Sequence, residues 1–357
     1  MSMQPLWHEM EIMNQARVST ARAVAQDIAK TLGFSRDRQA EIVLSVSEMA
    51  QNHVKHQTVS GRLRFFGQRF PGGSVMSVSS LDMGPGIANI RMALADGITT
   101  SNGLGSGLGC IRRIADRFAI CSGKLGDYPC PDLLSVEFES VTLVSAEFFL
   151  NGMKITDAPV DFSFLIRPVN GEAFCGDGFF FNWEKDIQSM VVIDALGHGE
   201  EAAEAVVRAK EFLKVIPPST HPEDVLMEAG RGLVHSRGVS AQAVRVNVAN
   251  RVIDIAAIGN VSQYLYIDGK PRNITGQPGV LGPVVARTGI SKERFQGFST
   301  VLGLIFTDGL GRVPELKFQQ SETSISALLW TQYLFSCCNQ GRIPVDDATL
   351  AVWKWQE

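Results

Sequence analysis

The sequence predicts an α+β protein of two domains, and three observations carry that reading. A chain of 357 residues is about twice the ~150-residue expectation for one domain. Helix-period and strand-period segments alternate through the first 140 or so residues. The remainder is rich in short apolar strands, several of which begin or end at an aspartate.

The N-terminal elements follow in order. Residues 15–32 (QARVSTARAVAQDIAKTL) read as an amphipathic helix stopped at Gly33, a residue that ends helices readily. Residues 36–56 read as a second helix, with Ile42, Val43, Val46, Met49 and Ala50 as its apolar stripe. Strands are expected at 61–68 and 74–81, from alternation and β-branched content. A helix near 108–117 follows a glycine run, and strands at 118–122 and 133–140 close the unit. The turn-rich stretch GKLGDYPCPD precedes the last strand, so the domains are drawn as 1–142 and 143–357. In the second domain FSFLIRPV, FCGDGFFF, MVVID, VLGLIFTDG and ATLAVWKW read as strands, and EEAAEAVVRAKEFL as a helix.

Composition narrows the function classes. A net charge of −4 leaves no basic footprint for nucleic acid. No apolar run approaches the ~18 residues of a membrane helix, and the start MSMQPLWHEMEIMNQ lacks the basic and apolar regions of a signal peptide. Six cysteines without a CxxC pair suit a reducing compartment, and neighbouring Cys337 and Cys338 read as core filler. The expectation is a cytoplasmic protein that binds neither nucleic acid nor membrane.

Two constellations carry chemistry. Glu48 and Asn52 lie four apart on the second helix and so share a face. An amide oxygen there can complete the coordination of a Mg²⁺ that also holds phosphates, and a carboxylate one turn away can accept a hydroxyl proton. Asp82 ends an apolar strand, where it can accept from an adenine amine, and Gly84 and Gly86 permit a close turn beneath the base. Gly103, Gly105, Gly107 and Gly109 lead into a helix whose bare N–H groups can cradle phosphates. Each pattern alone is common in helix faces and turns; the three in order point to an ATP site.

The second constellation is acidic. Asp177, Asp194, Asp308 and the pair Asp346–Asp347 each adjoin an apolar strand. A lone strand-end aspartate is usually a turn former or cap, but four such sites suggest convergence at one sheet edge. Clustered carboxylates repel unless cations neutralise them, and hard oxygen ligands without supporting His or Cys favour Mg²⁺ or Mn²⁺ over Zn²⁺. Two such ions roughly 3.5–4 Å apart can aim a water at phosphorus in line.

Residues 41–118 resemble the GHKL/HATPase_c ATPases, more narrowly the anti-sigma-factor serine kinases of partner-switching systems (RsbW and RsbT type). The resemblance rests on EIVLSVSEMAQNHVKH, DMGPGI and TTSNGLGSGLGCIRRIAD. It implies the Bergerat α/β sandwich, with Glu48 as base, Asn52 as Mg²⁺ ligand and Asp82 as adenine partner. His53 and His56, on the far side of the box, read as helix-surface residues. Residues 174–353 resemble the PPM metal-dependent Ser/Thr phosphatases of the SpoIIE and RsbX branch, through CGDGFFF, MVVIDALGHG, AAIGNV, LIFTDGL and DDATLAVW. That likeness implies an α-β-β-α sandwich and two Mn²⁺ or Mg²⁺ ions, held by Asp177, Asp194, Asp308 and Asp346 with the Ala195 carbonyl as a backbone ligand. Asp346 rather than Asp347 is taken because the family motif coordinates through the first of the pair. His198 is given a structural role, and Gly259 and Asn260 a turn-shaping one. No counterpart of the phosphate-clamping arginine of some relatives stands out.

Together the resemblances imply a bifunctional switch, an ATP-dependent serine/threonine kinase joined to a PPM phosphatase. Its expected substrates are STAS-domain proteins of a stressosome or anti-sigma pathway, with a sigma factor or downstream regulator as a further partner. Two other readings stay open: a phosphatase regulated by a nucleotide-binding but silent GHKL half, and a non-enzymatic sequestering module.

Overall fold

The structure is a computed structural model that describes residues 4–70, 72–84, 86–95, 107–124, 140–150, 155–233, 236–282, 289–314, 316, 325–339 and 345–357. The chain forms two compact units, Pro5–Lys154 and Ile155–Glu357, the latter joined by Met1–Gln4.

In the first unit the described elements are β1 (Leu6–Glu11), α1 (Gln15–Leu32), α2 (Arg36–His56), β2 (Arg62–Phe70), β3 (Gly73–Asp82), α3 (Ile90–Ala93), α4 (Gly107–Ile114), β4 (Arg117–Lys124) and β5 (Ser140–Phe149). The strands form one antiparallel sheet, ordered β1-β2-β3-β5-β4. Its helices start and stop where local chemistry dictates. Asn14 Oδ1 accepts from the Arg17 N–H at the head of α1, and Gly33 closes it in the left-handed region (φ 92°). Ser35 Oγ caps α2 through the Arg38 N–H. The stripe Ile42, Val46, Met49 and Ala50 is buried, and it packs with Ala21, Ala25 and Ile28 of α1 over Leu63, Phe65, Met76, Val78, Ala146 and Phe148 of the sheet. Burying side chains of this size contributes on the order of 1.5–3 kcal/mol each.

Two strands depart from expectation. β1 has too little alternation to be read alone, and it forms by pairing Leu6–Glu11 against Arg62–Gly67 of β2. β5 pairs with both β3 and β4 and so belongs to the first sheet. The expected junction at 142/143 falls inside that strand, and the units divide at 154/155, twelve residues later (154 − 142). The expected strand at 133–140 lies, apart from Ser140, outside the described residues.

In the second unit the elements are β6 (Asp161–Arg167), β7 (Asp177–Glu184), β8 (Ile187–Ala195), α5 (Glu200–Leu213), α6 (Pro222–Arg231), β9 (Val239–Asn247), β10 (Val252–Ile258), β11 (Ser262–Ile267), β12 (Lys270–Thr275), β13 (Ser291–Gln296), β14 (Thr300–Phe306), α7 (Ala327–Asn339) and β15 (Ala348–Gln356). They make two five-stranded sheets, ordered β13-β10-β9-β8-β7 and β12-β11-β14-β15-β6. α5 and α6 cover the first sheet; α7 packs on β6 and β15 of the second. This is an α-β-β-α sandwich. Aromatics from both sheets fill the space between, with Phe164 and Phe179 at 4.6 Å and Phe162 and Phe181 at 4.7 Å between ring centroids. The period of two in β7 sets Phe179 and Phe181 toward the second sheet and Phe180 toward α5. Asp177 has the parity of Phe179, so it too faces the inter-sheet space. Cys337 and Cys338 are buried in α7. No described helix is long and apolar enough to cross a membrane.

Candidate functional site

Two candidate sites lie in the two units. In the first, Glu48 and Asn52 sit half-buried on α2, and Asp82 is buried at the end of β3. Burial raises the Asp82 carboxyl above its ordinary range, and the Gly84 N–H donating to Oδ1 at 2.9 Å works against the rise. The loop that follows is tied down at each step. The Met83 N–H donates to the Val59 carbonyl at 3.0 Å, and the Ile87 N–H to Ser122 Oγ at 2.7 Å. Ser122 in turn meets Thr142 Oγ1 at 2.8 Å. A buried acceptor on a pinned loop is a rigid edge for reading an amino group.

Gly107 and Gly109 open α4; a side chain at Gly107 would meet nothing within 4 Å, so open space lies over it. Gly86 is described and left-handed (φ 79°), while the readings on Gly103 and Gly105 lie outside the described residues. The expectation of a surface His53 is corrected. His53 is 3% exposed, with Nδ1 2.7 Å from Thr58 Oγ1 and Nε2 2.8 Å from Ser80 Oγ. Burial lowers its pKa to about 4, against a smaller opposing contribution from the Arg62 backbone. The imidazole therefore ties α2 to the end of β3 as a neutral group. His56, three residues on, is exposed.

In the second unit the acidic residues converge. Asp177 and Asp194 are directly opposed across β7 and β8. Asp308 follows β14 in a short 3-10 turn, and Asp346 and Asp347 immediately precede β15. Burial and then the neighbouring Asp194 hold the Asp177 carboxyl well above its ordinary range. Burial, then Asp308 and Asp346, raises Asp194 to about 7. Those causes place the carboxylates within one another's fields.

Each carboxylate also rests on a local donor. Thr307 Oγ1 donates to Asp177 at 2.7 Å, and the Thr349 N–H donates to that hydroxyl at 2.8 Å, which links the two sheets beside the cluster. Asn260 Nδ2 donates to Asp308 at 2.8 Å and also steadies Asp194, so Asn260 does more than shape a turn. Asp347 spends its carboxylate on backbone, accepting from the Val169 N–H at 2.7 Å and the Gly176 N–H at 2.6 Å. Asp346 Oδ1 accepts from the Asp347 N–H at 2.8 Å. So held, no three His, Cys, Asp or Glu groups among the described residues stand close enough to enclose one ion. The donor set is nonetheless hard oxygen throughout, and its mutual repulsion is what divalent cations relieve.

The Ala195 backbone follows from sheet geometry. Its N–H donates to the Gly176 carbonyl on the β7 side at 2.9 Å, and the Leu196 N–H donates to Gly238 on the β9 side at 2.9 Å. In a trans peptide the C=O opposes the following N–H, so the Ala195 carbonyl turns toward the β7 side, opposite Gly176. Arg237 braces this turn, donating from Nη1 to the Leu196 carbonyl at 3.1 Å while Nε and Nη2 engage Glu201 at 2.9 and 2.8 Å. His198, exposed, pairs through Nδ1 with Glu172 Oε1 at 2.5 Å. Thr307, Asn260, Arg237 and His53 are the residues whose part the sequence did not disclose. Thr307, Asn260 and His53 are polar residues inside the recognised motifs, which was the available signal, and Arg237 lies in none of them.

Comparison with known proteins bears on both units. Residues 13–127 match the histidine kinase-like ATPase domain family. Over 113 residues the chain is 34% identical to the serine/threonine-protein kinase RsbT of Bacillus subtilis (strain 168), covering 32% of this chain and 84% of RsbT. Over 96 residues it is 26% identical to the phosphoserine phosphatase RsbX of the same organism, covering 27% of this chain and 48% of RsbX, about half that protein's length. Among solved structures, RsbX in complex with magnesium aligns at a TM-score of 0.46 and 22% identity, covering 54% of this chain and 95% of that one. The RsbU and RsbW domains of a Mycobacterium tuberculosis protein align at 0.42 and 19%, covering 55% and 60%. Through its first unit the chain belongs to the histidine kinase-like ATPase family, and its second unit is an α-β-β-α sandwich.

Proposed function

From that membership we propose that the chain is a bifunctional partner-switching regulator, an ATP-dependent serine/threonine protein kinase joined to a metal-dependent phosphoserine/phosphothreonine phosphatase. Both act on STAS-domain proteins of the stressosome or anti-sigma-antagonist type. The observation that carries the proposal is the pairing, in one chain, of a pinned buried Asp82 on an ATPase-type sheet with a convergent aspartate cluster between two sheets.

In the kinase half, Asp82 accepts from the adenine amine and the α4 N-terminus faces phosphate. Asn52 holds Mg²⁺, and Glu48 accepts the proton of the substrate hydroxyl as its oxygen bonds to the γ-phosphorus and ADP departs. In the phosphatase half, Asp177, Asp194, Asp308, Asp346 and the Ala195 carbonyl hold two Mn²⁺ or Mg²⁺ ions. Such ions supply Lewis acidity and an activated water for hydrolysis of the phosphoester. The chain's own contribution is to position: Thr307 orients Asp177, Asn260 orients Asp308, and Asp347 anchors the strand that presents Asp346.

The test is incubation of the Asp194→Asn chain with γ-labelled ATP, Mg²⁺ and STAS-domain proteins, so that hydrolysis does not erase the product. Label on a STAS protein, lost in the Glu48→Ala, Asp194→Asn chain, is the expected result. Nucleotide binding without any transfer overturns the kinase half and leaves a nucleotide-regulated phosphatase.

A further inference from the structure

One buried charge is absorbed by neither site. Ala202, Val206 and Lys210 lie four apart along α5 and so form one stripe. That stripe rests on the first residues of β7 and those just before it. A Cβ on Gly176 would stand 2.8 Å from Ala202 Cβ, and one on Gly178 would stand 2.4 Å from Val206 Cγ1 and 2.8 Å from Lys210 Cε. Only glycine on both sides of Asp177 lets the helix come this near. Lys210 Nζ would be 3.1 Å from the same Gly178 Cβ, so the ammonium lies directly under the strand that carries Asp177.

Lys210 is 6% exposed, among the apolar side chains of α5 and the first sheet. Among the described residues no hydrogen bond or ion pair holds its ammonium. A buried ammonium without a partner is strongly unfavourable unless a field compensates it. Burial lowers the Lys210 pKa to about 8, and the nearby Cys175 and then Asp177 oppose that fall.

We propose that Lys210 is a positioning residue, a fixed internal counter-charge that sets how tightly the aspartate cluster holds divalent cations. The inference rests on the metal-dependent reading of the second unit. Asp177, Asp194, Asp308, Asp346 and Asp347 bring five negative charges when ionised; two divalent ions bring four positive ones, and Lys210 supplies the fifth. Because a protein interior screens poorly, the ammonium also weakens each cation's binding and keeps the bound ions exchangeable.

The experiment is calorimetric titration of Mn²⁺ into the metal-stripped full chain, with Lys210→Met and Lys210→Gln compared with the parent. Both variants are one heavy atom shorter than lysine and remove its charge. Both are expected to bind Mn²⁺ about tenfold more tightly at unchanged stoichiometry, with Lys210→Arg remaining near the parent value. Equal or weaker binding by both neutral variants overturns the proposal and leaves Lys210 a packing residue. Loss of the fold in both variants, with and without Mn²⁺, has the same meaning. Failure of the parent chain to bind Mn²⁺ overturns instead the reading of the second unit on which the proposal stands.

Discussion

The two units solve opposite electrostatic problems. Around Asp82 the polar groups are neutral: His53, Thr58, Ser80, Ser122 and Thr142 hydrogen-bond among themselves and with the loop backbone. They fix one carboxylate's surroundings without adding charge. Around Asp177 the carboxylates outnumber the neutral side-chain donors, and Thr307 and Asn260 orient them without cancelling their repulsion. A neutral network is complete when folded, because every buried donor finds its acceptor. An acidic cluster needs something from solution. The first site surrounds one acceptor with neutral groups, whereas the second gathers carboxylates whose mutual repulsion divalent cations would relieve.

The largest expected effect tests the acidic side directly. Asp194→Asn or Asp308→Asn should lower hydrolysis of a phosphorylated STAS protein in Mn²⁺ by about a thousandfold, worth roughly 4 kcal/mol of barrier. Intact hydrolysis in both variants would remove the cluster from the reaction. On the neutral side, Glu48→Ala should reduce phosphate transfer about a hundredfold or more while ADP binding survives, which filter binding and calorimetry separate. Transfer and binding lost together would instead make Glu48 a residue of the pocket wall.

Chelation separates the units without mutation. With free Mn²⁺ at about a hundred times its dissociation constant, binding adds about 2.7 kcal/mol to the second unit. EDTA should therefore lower that unit's thermal midpoint by roughly 5–10 °C, while hydrogen exchange in α2 and β3 stays unchanged.

A pH titration sharpens the other half. His53 has a folded pKa of about 4 against 6.5 when free, so the fold favours its neutral form. Its contribution is fully present above about pH 6.5 and is lost as pH falls from there toward 4. The full extent is roughly 3 kcal/mol. Protection factors in α2 and β3, corrected for the intrinsic exchange rate, should fall across that window, and a His53→Gln chain should not show the step. The smallest expected effect is at the exposed brace. Arg237→Met should lower phosphatase turnover by less than about tenfold, since its ion pair with a largely exposed Glu201 contributes under about 1 kcal/mol; a thousandfold loss would place Arg237 on the substrate.

Much of this was legible in the sequence. The bounds of α1, α2 and α5 fall where periodicity and caps put them, since Asn14, Ser35, Gly33 and the paired Glu200 and Glu201 act on neighbours within a turn. The strand ends at Asp82 and Asp194 were equally plain, because an aspartate after an apolar run is a local signal. β1 was not legible, because an edge strand of mixed polarity takes its conformation from β2. Nor was the extent of the first unit, because β5 is assigned by its partners β3 and β4 rather than by its own pattern.

By itself, then, the sequence determined the types of its most strongly patterned elements, the acidic positions and the helix face shared by Glu48 and Asn52, the first and last as consequences of periods of 2 and 3.6 residues. Only the tertiary structure decided which distant donors meet them. Thr307 reaches Asp177 across 130 residues, Ser80 reaches His53 across 27, and Lys210 comes beneath Asp177 through the packing of α5 on two glycines. The reason is physical. Local conformation is set by neighbours along the chain, whereas burial and the field at a carboxylate are set by whichever strands and helices close around it.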